Sequence, residues 1–303
     1  MSSSGTEVWD ALSERISEIA EQAGKFVAAV EAGHRVSASG VHWKPGVIVT
    51  AAHLVRRTDT VEVLLPGNAT VSGLIVGRDA TTDLAAIRVE GANSLAAPMF
   101  NSSAKVGELV LAIGRSRRGE LAAAAGIMAR VGGPWSTWRG GQIERLLRPD
   151  VRLYPGQSGS ALVNGKGELL GVNSAVLARA STITLPAETV DRVVSELLER
   201  GHIAQPYLGV AIQEVSVPQE WHALASQDSA LLVMHVAQES PAKQAGIKLG
   251  DVIVSAAGEP VNGPRALHRV LVQKRTGDPV LLGIIRSGTL VEVTAHLGDR
   301  ARP

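Results

Sequence analysis

Apolar positions recur along this chain in two rhythms. From about residue 25 to residue 185 they form short β-type runs punctuated by turn residues. The first set predicts strands at Lys25–Val30, Val36–Val41, Val47–Thr50, Val61–Leu64, Thr70–Val76 and Leu84–Val89. Glu31-Ala32-Gly33, Lys44-Pro45-Gly46 and Pro66-Gly67-Asn68 supply turns between them. A second set follows at Leu109–Ile113, Ala122–Ala129, Arg145–Leu147, Ala161–Val163, Leu169–Val172 and Ile183–Leu185. Many short strands in close succession predict barrels.

The other rhythm is helical. Trp9, Leu12, Ile16, Ile19 and Ala23 recur at helical spacing in residues 6 to 25, with Glu, Ser and Arg between them. This predicts a helix docked on the barrel body or, alternatively, an oligomer contact. Pro186 to Gly201 predicts a second helix, with Val190, Val193, Val194, Leu197 and Leu198 on one face and Gly201 as its stop. Pro264 to Lys274 predicts a third, opened by proline in its first turn. Strands are expected at Val210–Val215, Leu281–Arg286 and Leu290–His296, the last two around a Ser287-Gly288 turn.

Composition narrows the classes. The 303 residues allow two domains, each able to bury a core. Aromatic residues make up only 3%, so that core rests on Val, Leu, Ile and Ala. A net charge of +1 argues against a broad nucleic-acid surface. With no cysteine there is no disulfide, cysteine-based zinc site or cysteine nucleophile. The opening MSSSGTEVWDALSER lacks a basic segment followed by an apolar one, and no later run is long enough to span a bilayer. As written the chain is expected in the cytoplasm, or in the periplasm or outside the cell if a leader was removed.

The candidate chemistry centres on Pro155-Gly156-Gln157-Ser158-Gly159-Ser160. A serine between glycines at a sharp turn is held out for attack on a carbonyl. The backbone N–H groups of Gly156 and Ser158 are candidates for an oxyanion hole. Upstream, Thr50-Ala51-Ala52-His53 closes one apolar run, and Thr81-Thr82-Asp83 opens another. The order His53, Asp83, Ser158 is that of the chymotrypsin class, and not that of subtilisin or the α/β-hydrolases.

Taken together, TAAH, TDLAAI and PGQSGSAL resemble the three catalytic segments of the HtrA/Deg family of trypsin-fold serine proteases. Val110–Gly114 and Gly167–Ala175 agree with it. Near the end, Tyr207-Leu208-Gly209-Val210 resembles the carboxylate-binding loop of a PDZ module, and Ser240 to Ile253 resembles that module's signature. The resemblance implies a mainly β fold: an N-terminal helix over 1–25, a chymotrypsin-like double β-barrel over 26–203 and an α+β PDZ domain over 207–298. Ser158 would be the nucleophile, His53 its base and Asp83 the group that orients His53. Leu153, Tyr154, Asn173 and Ala175 would wall the S1 pocket, where Leu153 suggests an aliphatic P1 residue; Arg152, if it points inward, favours an acidic one. Leu208, Gly209, Val210, Leu267 and Leu271 would hold a C-terminal peptide.

The implied partners are unfolded polypeptides, C-terminal peptides at the PDZ domain and further copies of the chain in a trimer, with no metal or organic cofactor. Two positions depart from the family's GNSGG. Gln157 is expected to act through its backbone only, and Ser160 to add a Cβ that narrows the cleft. Arg115 to Arg118 and Arg139 to Arg148 read as solvated loops or, by position, as activation loops. The rival reading is a catalytically dormant chaperone or binding protein.

Overall fold

In the computed structural model, residues 3–32, 37–55, 58–92, 95–178, 181–204 and 206–299 are described. Val36, expected to start a strand, and Gly33, expected in a turn, lie outside them. The chain divides into two compact units, Met1–Ile203 and Ala204–Pro303.

The first unit opens with helix α1 (Ser3–Gly24). A closed barrel follows, built from β1 (Val27–Glu31), β2 (Ser37–Lys44), β3 (Val47–Ala51), β4 (Thr60–Leu64), β5 (Thr70–Asp79) and β6 (Leu84–Val89). Around the barrel the strands run in the order β1-β2-β3-β6-β5-β4. The second barrel has β7 (Leu109–Arg115), β8 (Leu121–Gly132), β11 (Leu146–Pro149), β12 (Ala161–Asn164), β13 (Leu169–Ser174) and β14 (Ile183–Pro186). Between β8 and β11 stands a small hairpin, β9 (Trp135–Ser136) with β10 (Gln142–Ile143), which the apolar pattern does not signal. Most expected strands run on by one to three residues, because closing a barrel extends each ladder to the end of its neighbours.

Helix α2 (Ala187–Arg200) buries Val190, Val193, Val194 and Leu197 against strands of both barrels. Each such side chain contributes roughly 1.5–3 kcal/mol of burial, so α2 ties the two barrels together. Helix α1 behaves differently along its length. Ile19 and Ala23 are buried, and Ile16 and Ala20 pack against the same core. Trp9 is 72% exposed and Leu12 38%. Only the C-terminal half of the expected apolar face is docked.

The second unit holds β15 (Pro206–Tyr207), β16 (Val210–Ser216), α3 (His222–Ala225), β17 (Ser229–Val236), α4 (Pro241–Gln244), β18 (Val252–Ala256), β19 (Glu259–Pro260), α5 (Pro264–Val272), β20 (Pro279–Arg286), β21 (Thr289–His296) and β22 (Gly298–Asp299). Its main sheet runs β16-β17-β18-β20-β21, which leaves β16 at an edge. Leu231, Ile253, Leu267, Val270 and Leu282 are among the side chains of its core. Asp251 and Arg286 close one end, with Arg286 Nη2 2.7 Å from Asp251 Oδ2. Burial alone would push the Asp251 carboxyl up. The hydrogen bond and charge of Arg286, with the Lys248 amide, outweigh burial and hold it below its ordinary value.

Candidate active site

β3 ends at Ala51 and turns at once into a single helical turn, Ala52–Leu54, which carries His53. Asp83 occupies the turn before β6, in the left-handed region at φ +62. That conformation costs a non-glycine residue about 1–2 kcal/mol. It is held by the Ala52 amide donating to the Asp83 carbonyl at 3.0 Å. The His53 amide donates to Asp83 Oδ1 at 2.9 Å, and His53 Nδ1 lies 2.9 Å from both carboxylate oxygens. Ser174 Oγ donates to Oδ2 at 2.6 Å. Among the described residues the partners of this buried carboxylate are His53 and Ser174, and the imidazole nitrogen facing away from Asp83 stays available as a base.

The turn that bears Asp83 has its own supports. Asp79, buried at the end of β5, accepts from the Thr81 amide at 2.8 Å and from the Thr81 and Thr82 hydroxyls at 2.6 Å each. Thr137, in the β9–β10 hairpin of the second barrel, donates to the Thr81 carbonyl at 2.8 Å.

Ser158 follows a tight turn. The Gln157 amide donates to the Tyr154 carbonyl at 3.0 Å, and the Tyr154 amide donates to Gln157 Oε1 at 2.8 Å. With Pro155 second and Gly156 third at φ +88, this is a type II turn. Gln157 therefore holds the turn with its side chain as well as its backbone, contrary to the expectation that only its backbone matters. The Gly159 amide donates to Asn173 O and the Ser160 amide to Gln157 O. Among the described residues the amides of Gly156 and Ser158 donate to nothing, so both are left for an incoming oxyanion.

Ser39 of β2 grips the same turn from the first barrel. Its hydroxyl donates to Gly156 O at 2.9 Å and its amide to Ser158 O at 3.1 Å. Thr50, three residues before His53, donates to Ser39 O at 2.7 Å. Ser39 thus joins the strand that leads to His53 with the turn that carries Ser158. No hydrogen bond joins Ser158 Oγ to His53 among the described residues. In unliganded hydrolases that contact is commonly long and tightens only with substrate.

Two expectations are corrected. Ser160 is fully buried and accepts from Asn173 Nδ2 at 3.0 Å, so it points into the second barrel and leaves the cleft width alone. Asn173 itself is fully buried and accepts from Thr184 Oγ1 at 2.7 Å, so its side chain is spent internally and walls no pocket. Leu153 and Ala175 do line a concavity of about 710 Å³, while Tyr154, 57% exposed, lies outside it.

The arginine loops are only partly solvated. Arg115 is buried and donates to the carbonyls of Val27, Gly119 and Gly24 at 2.7 Å each, which anchors the end of α1. Burial lowers the pKa of its guanidinium from the ordinary value. Arg145 pairs with Glu188 at 2.6 Å, and Arg139 stacks on the Trp138 ring at 4.5 Å.

In the second unit the Gly209 carbonyl accepts from the Ala237 amide at 2.9 Å, and the Leu208 carbonyl from the Ala242 amide at 2.8 Å. The amides of Leu208 and Gly209 donate to nothing among the described residues. Leu208, Val210, Leu267 and Leu271 belong to one apolar cluster, and α5 packs beside the edge strand β16.

The residues missed by sequence reasoning are Ser39, Asp79, Thr137 and the role of Ser174. For Ser39, Asp79 and Ser174 the one local signal is a polar residue inside or ending an apolar strand, which must find a partner once buried; Thr137 carries none.

Comparisons with known proteins bear on the family and the fold. The profile of the trypsin-like peptidase domain matches residues 38–172, and that of the PDZ domain residues 206–297. A "Serine protease Do-like HtrA" of Lactobacillus helveticus is 32% identical over 83% of this chain and 65% of its own. A "Probable periplasmic serine endoprotease DegP-like" of Pseudomonas savastanoi pv. phaseolicola is 30% identical over 84% and 53%. The chain thus spans about half to two thirds of the length of these two relatives. Among solved structures, "HtrA-type protease AlgW with decapeptide" superposes with a TM-score of 0.70 at 22% identity, over 95% of this chain and 99% of that one. The serine endoprotease from Yersinia pestis gives 0.70 at 24%, over 94% and 98%. At these identities the two structures carry the fold alone.

Proposed function

The chain belongs to the HtrA family, a trypsin-like peptidase domain followed by a PDZ domain, and on that premise we propose that it is a serine endopeptidase acting on unfolded polypeptides. The observation that carries this is the pairing of an oriented imidazole with a serine flanked by two undonated amides. Ser158 Oγ attacks the scissile carbonyl, and His53 takes its proton and delivers it to the leaving amine. Asp83 fixes the tautomer and stabilises the imidazolium. The Gly156 and Ser158 amides receive the negative charge that develops on the carbonyl oxygen.

The PDZ unit binds the C-terminus of a polypeptide. The Leu208 and Gly209 amides take the carboxylate, the peptide adds as a strand to β16, and Leu208, Val210, Leu267 and Leu271 receive its last side chain. The exposed Val8, Trp9 and Leu12 at the start of α1 support a contact between copies.

Cleavage of a reduced, unfolded protein by the chain, beside Ser158→Ala, tests the first statement. Loss of cleavage in the variant is expected; no cleavage by either, from folded protein, favours the dormant binding protein. A labelled peptide ending in a free apolar residue is expected to bind, and its amidated form not to. Equal binding of both removes the carboxylate site.

A further inference from the structure

We propose that the concavity beside the nucleophile turn is a subsite for an acidic side chain of the substrate, with Arg152, the lining arginine next in sequence to Leu153, as a cation that receives it. This rests on the protease reading and names the substrate class of that same site. Leu153 and Ala175 are both in the lining of the concavity. Leu153 leads into the Tyr154–Gln157 turn, and Ala175 follows Ser174, which holds Asp83. A side chain entering between them comes from a residue next to the scissile bond.

The rest of the lining carries three arginines among small, apolar and hydroxyl side chains. Arg130, Arg148 and Arg152 stand around it with Asp150 as the one carboxylate. Arg130 and Arg148 are directly opposed across the β8–β11 ladder. Like charges so placed repel unless an anion lies between them. Some arginines elsewhere in this chain are closely paired: Arg145 with Glu188 at 2.6 Å, Arg192 with Glu144 at 2.6 Å and Arg286 with Asp251 at 2.7 Å. No carboxylate lies within ion-pair distance of Arg130, Arg148 or Arg152 among the described residues. Ser181, also in the lining, has a buried hydroxyl with no hydrogen-bond partner among the described residues.

Three solvent-exposed guanidiniums and, among the described residues, one buried unpaired hydroxyl line one concavity, so a carboxylate entering it exchanges water for charged donors. It accepts from them through charge-assisted bonds. An aliphatic side chain would desolvate the same donors and return nothing. The concave wall also focuses the positive field on whatever enters. The aliphatic P1 preference expected from Leu153 is therefore replaced by Asp or Glu.

Binding is measured on the Ser158→Ala chain, with acetylated and amidated unstructured peptides that differ only in a central Glu or Gln. The Glu peptide is expected to bind about tenfold more tightly. That advantage should vanish in Arg152→Gln on the same background and shrink with added salt. In the unaltered chain, cleavage sites in an unfolded protein should concentrate after Asp and Glu, and the Glu-over-Gln ratio of kcat/KM should fall about tenfold in Arg152→Gln. Equal affinity for the two peptides, or an advantage that survives in Arg152→Gln and in the Arg130, Arg148, Arg152 triple glutamine variant, overturns the subsite. Absence of cleavage with the Glu advantage intact overturns the protease reading and leaves the subsite standing.

Discussion

The nucleophile turn and the PDZ loop use one piece of backbone physics for different ends. Each has a glycine in the left-handed region, Gly156 at φ +88 and Gly209 at φ +87. In each the carbonyls are drawn inward, by Ser39 in one and by Ala237 and Ala242 in the other. In each the result is a pair of amides with no partner among the described residues, ready for negative oxygen. What differs is the surroundings. The first pair sits beside a base oriented by a buried carboxylate, which suits an oxyanion that exists only during reaction. The second sits above an apolar cluster at an open sheet edge, which suits a carboxylate that stays. The anion trap is common to both, and its neighbours decide between catalysis and recognition.

The largest test of that difference is Asp83→Asn. It leaves both amide pairs intact and presents His53 in the wrong tautomer. A fall of about ten-thousandfold in kcat is expected, with peptide binding to the PDZ unit unchanged by titration.

Gly209→Ala and Gly156→Ala separate the two turns next. A Cβ on Gly209 would lie 2.2 Å from Ser240 Cβ, whereas one on Gly156 would have no neighbour closer than 3.8 Å. Gly209→Ala therefore meets a clash in addition to the left-handed strain of about 1–2 kcal/mol. Calorimetry should show the larger loss of stability in Gly209→Ala, and kinetics the larger loss of turnover in Gly156→Ala. The reverse pattern would break the comparison.

The PDZ unit should also be the more acid-sensitive at one place. Asp251 is held below its ordinary value in the fold by Arg286, so it contributes stability that is full above the unfolded carboxyl pKa of about 3.9. That contribution is lost as pH falls through the lower folded value. Arg286→Met should cost about 3 kcal/mol at neutral pH, and much of the difference from the unaltered chain should disappear in acid. A difference independent of pH would assign the pair no electrostatic role.

The smallest expected effect is at Ser39. Without its hydroxyl the Gly156 carbonyl loses its tether while the Ser39 amide still holds Ser158. Ser39→Ala should lower kcat by about tenfold and leave KM within about twofold. A matching rise in KM would mean a disturbed substrate cleft in place of a loosened oxyanion site.

Much of this molecule can be read along the chain. The alternating apolar runs mark the strands of both barrels, since strand and turn preferences act over a few residues. His53, Asp83 and Ser158 could be named because each closes or opens such a run with small residues beside it. Gly209 and the apolar positions of α5 are named through the resemblance to a PDZ module. Contacts that depend on barrel closure left no trace in local pattern. Ser39 and Gly156 lie 117 residues apart, and Ser174 and Asp83 lie 91 apart. Nothing in the helical rhythm of α1 tells that its first half lacks a surface to lie on. Nor does Arg148 announce that it will face Arg130, because register between strands is set by where the chain returns. The sequence alone determined most barrel strands, the longer helices and their order, and the candidate reacting groups. Only the tertiary structure decided which polar groups hold them and which cations gather in one concavity, because those follow from distances between segments that the chain brings together last.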